Sequence, residues 1–226
     1  MKWKFYSREE TKILVYNEGE GESYQPALER AKKQLQQADP EEIVQRTGLN
    51  YDSGASEFEI NSFDRSYFIH YPSGHIDDSR ADIPINRGME IIFLHFLLDG
   101  NDCPPSGKMM TMQDLPDGAP YSGPFHRQAI EPLAEKMGEA PQKLEKAAGE
   151  LGAKFIDKAD IGFKLYPLPD VPLIYLLWRG DEEITGGANL AFDSSIMIKL
   201  HTEDIAVLGE YTTNLLLEWT EKIRPV

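Results

Sequence analysis

The chain has 226 residues, and its 41% hydrophobic and 27% charged content is that of an ordinary folded protein, in one large domain or two small ones. Its 38 acidic residues against 23 basic ones leave a formal charge of −15. A field of that sign repels phosphate backbones and anionic headgroups, so nucleic acid and membrane surfaces are disfavoured as partners.

Cys103 is the single cysteine. It rules out an intramolecular disulfide and an iron–sulfur cluster ligated by cysteines within this chain, and it fits a reducing cytoplasm. The N-terminal stretch has basic residues but no continuous apolar segment and no small-residue cleavage site, so it does not read as a signal peptide. The longest apolar run, Ile91 to Leu98, is far below the roughly 20 residues of a spanning helix.

Taken in order, Lys12 to Tyr16 has the composition of a short strand and Gly19 to Glu22 that of a flexible acidic loop. A first helix is expected from Ser23 to Ala38, with Ser23 as N-cap, Pro26 in the first turn and Leu28, Ala31 and Leu35 on one face. Asp39-Pro40 caps a second helix to Arg46, which Gly48 ends. Glu57–Ile60 and Arg65–Tyr71 read as strands joined by an Asn61–Asp64 turn. His75 to Asp82 is polar and reads as extended or looped.

Pro84 to Asp99 is apolar on nearly all sides, the pattern of a buried helix, and Gly100 ends it. Asn101 to Pro120 is a loop rich in proline and glycine, the one candidate boundary in what otherwise reads as a single domain over 1–226. Met109 to Gln113 is a candidate strand within it. Helices are expected over Phe125–Gly138 and Pro141–Leu151, the second with a thin apolar face.

The chain then turns β-rich. Ile161 to Tyr166 alternates, and Leu173 to Trp178 pairs with Asn189 to Asp193 as a buried hairpin, with Leu176 expected at the sheet centre. Ile196 to Leu200 is expected to extend it. A closing helix over Thr202–Lys222 has Thr202 as its expected N-cap and Glu203-Asp204 in its first turn. Strands do not alternate with helices, so the expectation is α+β, with a mainly antiparallel sheet and a C-terminal buried hairpin packed against several helices.

Phosphate-cradling glycine loops, a nucleophile elbow, HExxH and CxxC are all absent. His70 and His75, with Asp77 and Asp78 near, have the donor types of a metal site, but a histidine at a strand end is the commoner reading. His95 reads as a satisfied core histidine. His201 stands beside a helix N-terminus with two carboxylates, which N-capping explains without a ligand. Asp181, Glu182 and Glu183 form a charged turn with Arg179, and Asp193 closes a buried strand, where a carboxylate needs partners.

Leu168-Pro169-Asp170-Val171-Pro172-Leu173, Trp178-Arg179-Gly180-Asp181-Glu182-Glu183, Leu190-Ala191-Phe192-Asp193-Ser194-Ser195, Glu203-Asp204 and Val207-Leu208-Gly209 together resemble the family called domain of unknown function 3786. Phe93 to Leu98, Asp114-Leu115-Pro116 and Tyr121 to Phe125 fit too, so the resemblance covers residues 24 to 217. It implies a soluble protein of anaerobes without an assigned activity, in a family of which some members are described as iron–sulfur proteins through an added cysteine-rich module. This chain lacks that module.

Two functions from different classes follow. One is a cytoplasmic binding or accessory protein, with a protein partner of the redox or corrinoid type that the resemblance suggests. The other is a small-molecule-binding enzyme whose pocket gathers His95, Tyr121, His126, Arg179, Asp181 and Asp193, polar groups that flank the most apolar elements.

Overall fold

The computed structural model of the chain describes residues 4–8, 11–15, 18–78, 81–180 and 186–223. Its helices and antiparallel sheets make the protein α+β. The chain divides into two compact units: Met1–Asn61 with Arg65–Asp102, and Ser62–Asp64 with Cys103–Val226. The division after Asp102 falls inside the 101–120 stretch.

In the first unit, β1 (Lys4–Arg8) and β2 (Thr11–Val15) pair antiparallel. Helix α1 (Glu18–Leu35) starts earlier than its sequence suggests, so Gly19 to Glu22 is helical and Ser23 is not its cap. Helix α2 (Pro40–Thr47) follows its sequence signals: Asp39 accepts the Glu41 N–H at 2.8 Å, and Gly48 closes the helix at φ 69°.

Strands β3 (Asn50–Asp52), β4 (Glu57–Ser62), β5 (Arg65–His70) and β6 (His75–Asp77) form a sheet in sequential order. The β4–β5 turn is Phe63-Asp64, both left-handed at φ 52° and 58°, as a two-residue hairpin requires. Helix α3 (Arg87–Asp99) is capped by Asn86, which accepts the Met89 N–H at 2.9 Å. At its other end, Arg46 donates to the carbonyls of Leu97 and Gly100 at 3.0 and 2.9 Å, satisfying groups that the helix leaves open.

The second unit is built on a five-stranded sheet in the order β7-β11-β10-β9-β8. The strands are β7 (Met109–Met110), β8 (Lys154–Ile156), β9 (Ile161–Leu168), β10 (Val171–Trp178) and β11 (Gly187–Asp193). Helices α4 (Ala119–Phe125) and α5 (Glu131–Glu139) form one helical run with a wide turn at His126–Ile130, where Glu131 N–H donates to the His126 carbonyl. Pro132 explains the widening. It has no N–H for the Gln128 carbonyl, and its ring would crowd that oxygen, so the ladder slips by one residue. The run starts at Ala119, not at Phe125 as expected. Helix α6 (Pro141–Glu150) and the long α7 (Thr202–Lys222) complete the unit.

Strand pairing sorts the sheet into two faces. Phe155, Phe163, Tyr175 and Leu190 stand abreast, as do Leu165, Leu173 and Phe192. All but the edge residue Phe155 are buried. Helices α5 and α6 pack on the sheet, and α7 packs against α4, α5 and α6. Leu176 points to the other face and is half-buried, and its neighbour Leu177, at 0% exposure, is the one that enters the core. The sequence pattern could not separate these two leucines, because the run is apolar at every position.

Ile196 to Leu200 does not extend the sheet. Ser194–Ile198 is a 3-10 turn, because the Asp193 side chain accepts the Ser195 N–H and bends the chain at the strand end. Helix α7 begins one residue after His201, which occupies the N-cap position, and Thr202 is the first helical residue. The Thr202 hydroxyl donates instead to the Pro116 carbonyl at 2.6 Å.

Gly209 of α7 faces the ring of Phe125. A Cβ there would lie 2.5 and 2.7 Å from two ring carbons, and the ring is buried at 1% exposure. Gly209→Ala gains about 1 kcal/mol of helix propensity, but the clash outweighs it. The expected outcome is a net loss of about 1–3 kcal/mol in urea unfolding; an unchanged or raised stability contradicts the close approach.

Candidate functional site

Within the second unit, the chain from Pro116 to Tyr121 and the start of α7 enclose an open cleft of about 360 Å³. Its walls are Pro116, Asp117, Tyr121, Met197, Leu200, His201, Thr202 and Ile205. Leu200 and Ile205 are buried, at 6% and 1% exposure, while Met197 stands exposed. Local chemistry fixes each wall. Gly118 lies so close to the Met112 and Leu115 carbonyls that no side chain fits there, and α4 starts directly after it, bringing Tyr121 into place. On the opposite side the 3-10 turn after Asp193 carries the chain to His201. The Thr202–Pro116 hydrogen bond ties the two walls together.

The cleft combines a phenol, an imidazole, a carboxylate and a hydroxyl with an apolar floor, the usual make-up of a small-molecule site. Asp117 places a carboxylate on its rim, while Glu203 and the buried Asp204 follow the wall residue Thr202 in the first turn of α7. A second cleft, of about 380 Å³, lies in the first unit beside Glu41, Val44, Gln45, Leu49, Asn50 and Tyr51. Only Glu41 and Tyr51 there carry titratable groups, so it offers less chemistry.

Of the residues expected to line one pocket, Tyr121 lines this cleft. His95 is half-buried on α3, in the first unit. His126 is exposed and faces Glu131, with Nδ1 3.2 Å from Oε1. Arg179 is exposed at the end of β10, its backbone N–H donating to Asp160 at 2.7 Å. Asp181, with Glu182 and Glu183, lies outside the described residues. Trp178 pairs with the first residue of β11 and Asp193 is the last, which separates Arg179 and Asp193 by about 20 Å of strand. They do not share a pocket.

Asp193 has a different task. It is 3% exposed, and its carboxylate accepts four hydrogen bonds: Ser106 N–H at 2.8 Å, the Ser106 hydroxyl at 2.9 Å, Gly107 N–H at 2.7 Å and Ser195 N–H at 2.9 Å. Ser106 gives its proton to Asp193, so the Ser194 hydroxyl, 2.8 Å away, donates to it in turn. Burial pushes the carboxyl pKa up, but the hydrogen bonds from Ser195 and Ser106 outweigh burial and hold it at about 2. The carboxylate therefore stays charged and fully engaged; it clamps the 103–108 loop to the end of β11.

His70 and His75 stack across β5 and β6, with ring centroids 5.7 Å apart, and Glu57 approaches His70 Nδ1 at 3.8 Å. Among the described residues, no group of three or more His, Cys, Asp or Glu is placed to hold a metal ion. Nor is any helix among them long and apolar enough to cross a membrane. Cys103 is half-buried, its thiol 3.5 Å from the Pro104 carbonyl.

Asp117, Met197, Leu200 and Ile205 were not legible as cleft residues. Leu200 has the pattern of a strand residue and Ile205 that of a helix stripe, and only the turn at Asp193 brings them together.

These features define an α+β protein with an antiparallel five-stranded sheet and a polar-rimmed cleft at the start of its last helix. The model of the family described as Domain of unknown function (DUF3786) matches residues 39–215, and the chain belongs to that family. No curated protein and no solved structure matches the chain. Two of the residues in which the chain resembles the family have physical reasons: Asp193 is the clamp, and Gly209 makes room for Phe125.

The folded pKa of Asp193 lies below the ordinary value of 3.8. Its stabilisation is therefore complete above about pH 5 and is lost as pH falls through about 2. Asp193→Asn is expected to cost about 2 kcal/mol at neutral pH. In urea unfolding, the gap between native protein and variant should close with acidification; a gap that stays constant down to about pH 2 contradicts the assignment.

Proposed function

We propose that this is a non-catalytic binding or accessory protein of the cytoplasm, and that the cleft between Tyr121 and His201 is its ligand site. The observation that carries the reading is the cleft itself, with a buried apolar floor and polar residues on both of its walls. Asp117 on the rim favours a neutral or cationic ligand over an anionic one. The enzyme reading is weaker, because Arg179 and Asp193 stand at opposite ends of a strand and Asp193 is engaged by four donors. The single cysteine suits a reducing compartment and supplies no intrachain cluster, so any redox or corrinoid chemistry would belong to a partner.

The test is a fragment screen by amide NMR with neutral, cationic and anionic compounds. Neutral or cationic hits should shift the amides of Tyr121 and Leu200 to Thr202. Tyr121→Ala and His201→Ala should each weaken them about tenfold. Hits that favour anions, or that map to the Glu41–Tyr51 cleft, overturn the reading.

A further inference from the structure

The five-stranded sheet has a second face, which is open at its margins. Strand pairing sets Lys154, Lys164, Ile174 and Ala191 abreast on it, and beside them Ile156, Gly162, Leu176 and Asn189. Trp178 and Tyr166 continue the same face along β10 and β9. Its centre is closed, with Ile174 and Ala191 at 3% and 2% exposure. Around that centre Ile156, Lys164, Tyr166, Leu176 and Asn189 are half-buried, and Trp178 is exposed at 42%. The loop before β9 curls over Gly162, and from it Lys158 reaches Met109, Nζ to Sδ 3.5 Å.

The charge on this face runs against the rest of the chain. Lys154, Lys158 and Lys164 gather here in a protein with a formal charge of −15. Lys154 and Lys164 are direct cross-strand neighbours, an arrangement that costs stability. Lys154 leans over the Tyr166 ring, 4.6 Å from its centroid. Among the described residues no carboxylate pairs with any of the three lysines. Edge protection accounts for Lys154, because β8 is the last strand of the sheet. It does not account for Lys164, since β9 is paired on both sides.

We propose that this face docks an acidic protein segment, whose carboxylates take the three lysines and whose apolar side chains cover Leu176, Tyr166 and Trp178. Charge complementarity selects that occupant. A symmetric dimer through the same face would set lysine against lysine, and the overall charge opposes a nucleic acid. The surface is separate from the Tyr121–His201 cleft and does not depend on a ligand there.

The experiment titrates the labelled full chain with short synthetic peptides of matched length and apolar content, one rich in Glu, one in Gln and one in Lys, and with an oligothymidine. The Glu-rich peptide should shift the amides of Lys154 to Ile156, Lys164, Leu176 and Trp178, with an affinity that falls about tenfold between low and physiological salt. Lys154→Glu turns a repulsive pair into an attractive one. It should hold or raise the melting temperature while weakening the Glu-rich peptide about tenfold. Lys158→Gln with Lys164→Gln should weaken it as much, and Tyr121→Ala should leave it unchanged. Equal affinity for the three peptides, tighter binding of the oligothymidine, shifts that map elsewhere, or a dimer that Lys154→Glu breaks would each overturn the proposal.

Discussion

The Asp193 carboxylate is the constraint on which the second unit depends. A charge at the end of a buried strand is tolerated only when donors surround it, and four do. Two of the donating residues come from a loop far back in the chain and one from the turn that follows. The same interaction therefore fixes three things. It ends β11, starts the 3-10 turn, and holds the 103–108 loop so that β7 can pair beside β11. The start of α7 and the cleft beside it inherit their position from that bend.

The sheet that ends in this clamp is asymmetric. One face is filled by aromatic and aliphatic side chains beneath the helices, and Gly209 lets α7 come within contact of Phe125. The other face keeps a closed centre and an open, basic and aromatic margin. The cleft and the open face also differ in charge: the carboxylate of Asp117 stands on the rim of the first, and lysines gather on the second. A single protein can thereby present two surfaces that do not compete for the same kind of partner.

Much of this fold was legible in the sequence, because local signals and burial agreed. Asp39-Pro40 and Gly48 bound α2 as capping chemistry dictates. The apolar run through Phe93 and Leu97 is a buried helix, and the hairpin from Leu173 to Asp193 pairs as its β-rich composition implies. Failures occurred where a specific side-chain bond or a tolerated proline overrode the composition of a segment. Ile196 to Leu200 has strand composition, yet Asp193 turns it into a 3-10 helix. The Tyr121 region reads as a loop because of Gly118, Pro120 and Pro124, yet Gly118 and Pro120 fall at the start of α4 and Pro124 is accommodated inside it. The candidate site was legible only in part. Polar residues next to apolar elements were easy to find, but whether they converge depends on strand direction. Arg179 and Asp193 flank one hairpin in the sequence and stand at its opposite ends in space.

The most direct measurement of the account is native-state hydrogen exchange at the backbone amides of Ser106, Gly107 and Ser195. Ser106 and Gly107 lie in an exposed loop, where amides ordinarily exchange rapidly. If Asp193 holds them as described, all three should be protected to a similar degree and should open together with the end of β11. Exchange of Ser106 and Gly107 at the rate of an unstructured peptide would contradict the clamp, and with it the positioning of the cleft.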